Sequence, residues 1–290
     1  MKIIPISADS LGTRSMATFV ETKDCNIFID PSVRLAPKRF GLPPHKIEKE
    51  RKREHWKEIK ECVRKSDVLI VTHYHFDHHN PDAPSIYRRK TALLKDYQNK
   101  INRNQQMRAK RFIRKLGDYP KEILPADGKT FEFGRTLIEF SKPVPHGPTL
   151  RMGWVVEVAV TDEEQTFVHT SDIQGASVKS QLEFILKSNP RTILMDGPFS
   201  VLMMADQGRP LKSSERNIIK IIRKTDVKDF LIDHHFVREE EYRDRIPKIF
   251  EVAKEEVVNL QTCAGYLGRK DDLLEAKRKK LYKADEERKR

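Results

Sequence analysis

The chain has 290 residues, 56 Lys and Arg against 43 Asp and Glu, a formal net charge of +13, and 38% hydrophobic residues. That apolar content excludes a disordered chain, and the length allows one large domain or two small ones. No apolar run approaches the roughly 20 residues that cross a bilayer, so neither an integral membrane protein nor a membrane partner is expected.

The N-terminal MKIIPISADS lacks the apolar core of a secretory signal and reads as a first strand over 2–7. A second short strand spans 16–21, and NIFID (26–30) is a third, stopped by Pro31. Segment 46–65 predicts a helix with Trp56, Ile59 and Cys62/Val63 on one face. VLIVT (68–72) follows as a buried strand. Ala109, Phe112, Ile113 and Leu116 form a helical stripe over 101–116, with Gly117 as the stop. Further strands are expected at 130–133, 136–141, 153–160 and 166–170. From there helices and strands alternate: helix 176–188, strand 192–196, helix 213–224, strand 230–233, helix 240–256 and strand 256–262. No repeat of solenoid spacing is visible. The mix predicts α/β layers.

Three cysteines, Cys25, Cys62 and Cys263, stand far apart and form no C-x-x-C pair. Free thiols in a reducing cytoplasm are the expected reading. Positive charge is concentrated. Segment 88–115 holds eleven basic residues and one acid, segment 38–65 eleven and five, and segment 269–290 ten and six. Such patches attract polyanions, nucleic acid included, or form solvated helix faces. The charged fraction of 34% also suits a heat-adapted source.

Four of the ten histidines fall within seven residues, in VLIVTHYHFDHHN, directly after an apolar strand. His73 and His75, two apart on extended backbone, point the same way. Asp77 and His78 offer an oxygen and a nitrogen to a second centre, a donor set suited to zinc and related divalent ions. Later strands end on further candidates: His146 in PVPHGP, Asp172 after TFVHTS, and His234 after FLID. His235 competes with His234 for the last position. Asp30, Asp196 and Asp233 stand at strand ends, either fixing ligand imidazoles through their free N–H or serving as turn carboxylates. His79 reads as a turn residue, His169 as the end of a strand, and His45 and His55 as solvent-facing.

The motif H-x-H-x-D-H, with Asp30-Pro31 before it and His146, Asp172 and His234 after it in that order, resembles the metallo-β-lactamase fold superfamily. The match covers residues 26 to about 236. The resemblance implies a four-layer αβ/βα sandwich of two mixed sheets flanked by helices. It implies one metal held by His73, His75 and His146, a second held by Asp77, His78 and His234, and Asp172 bridging them. Two divalent ions are therefore expected, zinc first, with manganese or iron as alternatives. Asp77 and Asp172 are the expected catalytic residues, Asp77 also orienting the attacking water. Oxygen-reducing di-iron members of the family usually carry Glu where His75 stands, so the resemblance favours hydrolysis.

Departures from the family pattern narrow the branch. Ser171 stands where many members have Gly before the bridging Asp. PVPHGP replaces the GHT-like turn of many hydrolases and is more similar to the nuclease and lactonase branches. Only 62 positions separate Asp172 from His234, too few for the cap domain of the cleavage-factor nucleases. The chain looks most like an archaeal branch of these metallo-hydrolases.

The expected organisation is a hydrolase domain over 1–268, with a basic helical insert at about 84–117, and a charged helix or tail over 269–290. The expected function is metal-dependent hydrolysis, with a phosphodiester (nuclease-like) substrate ranked ahead of a small-molecule ester, thioester or lactone. A reading from another class is a nucleic-acid-binding protein with a structural metal site. A cytoplasmic location and a homo-oligomer are compatible with both.

Overall fold

The computed structural model describes residues 1–199 and 208–288. Two mixed sheets face each other. The first has six strands in the order β1 (Lys2–Ala8), β2 (Met16–Glu21), β3 (Asn26–Ile29), β4 (Val68–Val71), β5 (Thr91–Leu94) and β6 (Glu122–Pro125). Strands β1 to β3 are antiparallel, and β3 to β6 run parallel. The second sheet has the order β15 (Asn259–Gln261), β14 (Asp229–Ile232), β13 (Thr192–Met195), β12 (Thr166–His169), β11 (Val158–Thr161), β8 (Thr136–Phe140) and β7 (Thr130–Phe133). Its β12 to β15 half is parallel and the rest antiparallel. A two-stranded ribbon joins β9 (Val144–Pro145) to β10 (Trp154–Val155).

The apolar pattern explains the layering. Strand β4 reads VLIV without alternation because both its faces are buried. Val68 and Ile70 enter the core between the sheets, with Ile27, Ile138, Val158 and Phe167. Leu69 and Val71 face outward onto α1 (Lys46–Lys65) and α2 (Arg103–Leu116), meeting Ile59, Val63, Ala109 and Phe112. On the far side, α3 (Lys179–Ser188), α4 (Arg209–Lys224) and α5 (Pro247–Glu255) cover the second sheet through Ile185, Ile218, Ile221 and Val252. The result is the expected four-layer αβ/βα sandwich.

Several elements differ from the sequence reading. Segment 84–117, expected as a helical insert, also supplies β5, which is interior to the first sheet between β4 and β6. Its apolar run, Ala92 to Leu94, is only three residues long, and the strand lies between Lys90 and Lys95, so charge masked it. The expected strand 153–160 is interrupted between Val155 and Val158 by the change from ribbon to sheet. Helix α4 begins at Arg209, with Pro210 in its first turn, rather than at Ser213. The expected helix 240–256 is a 3₁₀ turn (Tyr242–Arg245) followed by α5, which starts at Pro247. The expected strand 256–262 shrinks to β15, and a four-residue α6 (Cys263–Tyr266) follows.

The C-terminal segment carries the charged helix α7 (Arg278–Glu287), which is anchored to the domain at its start. Arg278 is fully buried and binds Glu48 through Nε at 2.8 Å and Nη2 at 2.7 Å. His45, expected in solvent, is buried; it caps α1 and lies 3.2 Å from Asp285. His55 is also buried, 2.6 Å from Thr13 Oγ1, and burial pushes its pKa down to about 3. Both histidines sit in highly charged sequence, and docking of the C-terminal segment is what hides His45.

Candidate metal centre

The parallel strands β3, β4, β12, β13 and β14 carry candidate residues at or just past their C-terminal ends, the rim where ligands of open α/β sheets gather. Asp30 follows β3, and the His73–His79 run follows β4. Asp172 lies three residues past β12, Asp196 one past β13, and Asp233, His234 and His235 follow β14. Three of these rim positions are strained: Asp30, Ser171 and His234 have φ of 52°, 58° and 44°. The chain turns sharply there to aim side chains across the rim.

Two groups of ligand atoms result. His73, His75, His146 and Asp172 each bring a donor atom within 4.8 Å of the others, and so do Asp77, His78 and His234. Asp172 links the groups. Its Oδ2 is 3.2 Å from His146 Nε2 and 3.5 Å from His73 Nε2. Its Oδ1 is 3.1 Å from His78 Nε2 and 3.6 Å from His234 Nε2. Asp77 Oδ2 lies 3.7 Å from His234 Nε2. All seven candidate ligands are thus brought together.

The donor atoms themselves indicate what fits. His73 Nε2, His78 Nε2 and Asp172 Oδ1 are buried and have no hydrogen-bond partner. His78 Nε2 and Asp172 Oδ1 lie 3.1 Å apart yet make no aligned hydrogen bond. Unpartnered buried polar atoms are costly, and a cation between them removes the cost. The residues present fit divalent metal ions.

The opposite nitrogens are held from outside. Asp30 Oδ2 accepts from His78 Nδ1 at 2.7 Å, while its two carboxylate oxygens also accept from Thr72 N and Oγ1. Asp9 Oδ2 accepts from His234 Nδ1 at 2.7 Å. Ser171 Oγ lies 3.2 Å from His73 Nδ1 and 2.6 Å from Thr72 Oγ1. These partners fix the imidazole tautomers so that Nε2 faces the shared space. Asp196 accepts from His235 Nδ1 at 2.8 Å rather than from one of the seven candidates. Asp233 accepts the backbone N–H groups of Ser10, His234 and Cys263, shaping the turn instead of orienting a ring.

Electrostatics favour positive charge at the junction. Burial alone lowers the pKa of His78, but Asp172 and Asp30 outweigh it and raise it well above the usual value. For His234, burial and Arg238 push down, while Asp9 and Asp172 raise the pKa to about 9. Burial opposes ionisation of Asp172 and Asp77, yet the surrounding imidazoles hold both below the ordinary carboxylate range. His73 is pushed well down and His75 to about 3, by burial and neighbouring imidazoles. His73 and His75 are therefore neutral nitrogen donors beside ionised carboxylates, whereas His78 and His234 hold a proton that a bound cation would displace.

His235 sits beside the centre but outside the Asp77–His78 group. Its Nε2 is 3.9 Å from Asp172 Oδ2, and it joins a third set with Asp172 and His234. His79 is buried, its Nδ1 donating to His75 O at 2.8 Å and its ring edge-on to Tyr74 and Phe112. His169 spends both nitrogens, Nε2 on Met16 O and Nδ1 on the Ser171 N–H. Neither faces the centre.

A cleft of about 610 Å³ opens over the ligands. Arg14, Arg34, Arg108, Arg111 and Arg238 line it, together with Phe76 and Phe199. Arg108 and Arg111 come from the basic segment 88–115, which therefore folds beside the centre. Arg238 Nε donates to Asp9 Oδ1 at 3.0 Å, and its Nη2 lies across the His234 ring, 3.0 Å from Nε2 and 3.5 Å from Nδ1. Sequence reasoning missed Asp9, Arg238 and the Thr72–Ser171 pair. A lone acid after β1 and one arginine among many carry no spacing signal, although the Ser171 departure marked its position.

Among the described residues no helix is long and apolar enough to cross a membrane. No protein-family profile matches the sequence. The chain is 44% identical over 294 residues to a UPF0282 protein of Saccharolobus islandicus strain M.14.25, an alignment covering 98% of this chain and 94% of the relative. In three dimensions it is similar to an isothiocyanate hydrolase from Delia radicum gut bacteria (TM-score 0.56, 13% identity, 90% of this chain and 95% of the other). It is also similar to the metallo-β-lactamase fold protein YhfI from Bacillus subtilis (TM-score 0.51, 14% identity, 86% and 89%). The chain belongs to the UPF0282 family, and its fold is that of the metallo-β-lactamase superfamily.

Proposed function

We propose that this protein is a metal-dependent hydrolase whose substrate is a phosphodiester. The observation that carries the reading is the placement of five arginines around a cleft whose floor is the convergent His/Asp cluster. His73, His75 and His146 would hold one divalent ion, Asp77, His78 and His234 a second, and Asp172 both, with zinc as the first choice. Such a pair supplies a water of lowered pKa and a Lewis acid at neutral pH.

The chain's own residues do the rest. Asp77 is partly exposed to the cleft and ionised, so it can bind and orient a water there. Asp30, Asp9 and Ser171 keep His78, His234 and His73 in register. Arg238, tethered by Asp9, presents a guanidinium beside Asp77, where it can receive a non-bridging phosphoryl oxygen. Arg14 and Arg238 are paired with Glu275 and Asp9, but among the described residues Arg34, Arg108 and Arg111 make no ion pair; a neutral carbonyl ester has no use for such cations, which ranks the ester, thioester and lactone reading second. Its three free cysteines, two of them buried, suit a cytoplasmic location.

The test is turnover by metal-loaded protein of bis-p-nitrophenyl phosphate, compared with a lactone and a thioester. Diester turnover that falls on replacement of Asp77 by Ala supports the reading. Turnover of the carbon esters alone contradicts it.

A further inference from the structure

The cleft over the metal centre has a neighbour on the side of Arg34 and Leu35. A second cavity of about 550 Å³ adjoins it, and Arg34 and Leu35 line both. Its other wall is α1, through Lys49, Lys52, Arg53 and Trp56. These positions are spaced 3, 1 and 3 apart, so they share one helix face. Among the described residues, none of Arg34, Lys49, Lys52, Arg53, Arg108 and Arg111 is ion-paired to a carboxylate, whereas the nearby Lys46, Arg51 and Lys115 are. The two cavities therefore share a row of cations that make no direct ion pair, Asp82 being an acid close enough to feel Arg34 and Arg111.

Aromatic rings punctuate that row. Phe76 is 37% exposed, with the Arg34 guanidinium 5.4 Å and the Arg108 guanidinium 4.6 Å from its ring centre. Trp56 lies half-buried between the cations of α1 and the Val33–Leu35 segment. Flat rings interleaved with cations along a groove are how proteins follow a single nucleic-acid strand, bases on the rings and phosphates on the cations. A paired duplex offers no base faces to such rings, and a small diester would fill only the first cavity.

We propose that the Trp56 face of α1 is a binding subsite for single-stranded oligonucleotide, holding the nucleotides to one side of the bond over the metal centre. This subsite rests on the phosphodiester reading and extends it from bond to polymer.

The test is fluorescence anisotropy of full-length, metal-loaded protein with fluorescein-labelled 12-nucleotide RNA and DNA strands. Phosphorothioate backbones keep the strands intact, and binding is measured over a series of KCl concentrations. The combined variant Lys49→Gln/Lys52→Gln/Arg53→Gln should raise Kd at least about 10-fold and flatten the salt slope by about 2, from roughly 0.7 per phosphate contact. Trp56→Leu should raise Kd about 5-fold or more, in line with roughly 1–3 kcal/mol per stacked base, with the slope unchanged. It also serves as the second variant should the triple substitution fail to melt as the wild type does. The RNA and DNA arms distinguish the sugar.

Variants that melt normally and bind both 12-mers as the wild type does would overturn the subsite, as would tighter binding of a duplex. Wild-type turnover of bis-p-nitrophenyl phosphate is measured in parallel. Turnover with unaltered variant binding removes the subsite and leaves the hydrolase. Weakened variant binding without turnover keeps the strand-binding face of α1 and removes the hydrolysed bond beside it.

Discussion

Asp9 and His234 are 225 positions apart in sequence, yet Asp9 Oδ2 accepts from His234 Nδ1 at 2.7 Å while Asp9 Oδ1 holds Arg238 at 3.0 Å. One carboxylate thus fixes both a candidate ligand and the cation beside it. Asp9→Asn should weaken one metal equivalent by about 10–100-fold, the usual effect of losing an outer partner. The equivalent held by His73, His75 and His146 should be unaffected. Competition titration with a metal indicator checks this. Equal weakening of both equivalents, or of neither, would contradict the assignment.

Ser171 pays for its place with a left-handed backbone, φ 58°, a conformation that glycine adopts without strain. Its hydroxyl contacts Thr72 and His73. Ser171→Gly should therefore leave stability within about 1 kcal/mol, since strain relief offsets the lost hydrogen bonds. Metal affinity should fall about 10-fold as His73 loses its anchor. Thermal melts of the metal-free protein and metal titration separate the two effects.

Arg278 and Glu48 form a fully buried bidentate pair that fastens α7 to the start of α1. Removing one partner leaves the other buried and unpaired. Arg278→Ala should cost about 3–5 kcal/mol, read from denaturant unfolding. A loss below about 1 kcal/mol would show that the C-terminal segment is dispensable to the fold.

Glu157 is fully buried, and neither carboxyl oxygen has a hydrogen-bond partner. Burial, reinforced by Asp196, raises its pKa well above the ordinary glutamate value of 4.5. A raised folded pKa gives stability that is complete below 4.5 and lost as pH rises toward the folded value. Glu157→Gln removes that ionisation. The variant's melting temperature relative to wild type should therefore climb as pH rises from 4 to 8. A difference independent of pH would mean that Glu157 has no raised pKa.

The sequence carried the layers well where patterns were long. The unalternating VLIV of β4 announced a strand buried on both faces, and the 3–4 spacing of Ala109, Phe112 and Leu116 announced α2. It failed for β5, where three apolar residues and a threonine between lysines offer too little signal. The seven candidate ligands were legible because chemistry restricts residue type and the motif restricts order. Asp9 and Arg238 were not, because their roles depend on β1 and β14 lying in different sheets that meet at one rim. His45 and His55 were misread because burial there comes from docking of distant segments, which local charge does not reveal.

The convergence of His73, His75, Asp77, His78, His146, Asp172 and His234 on bound cations is tested most directly by elemental analysis of purified protein. The expected result is about two divalent ions per chain, zinc foremost, falling by at least half in Asp172→Ala with the fold retained. A wild-type protein that takes up no stoichiometric metal after dialysis against zinc, manganese or iron would contradict the account.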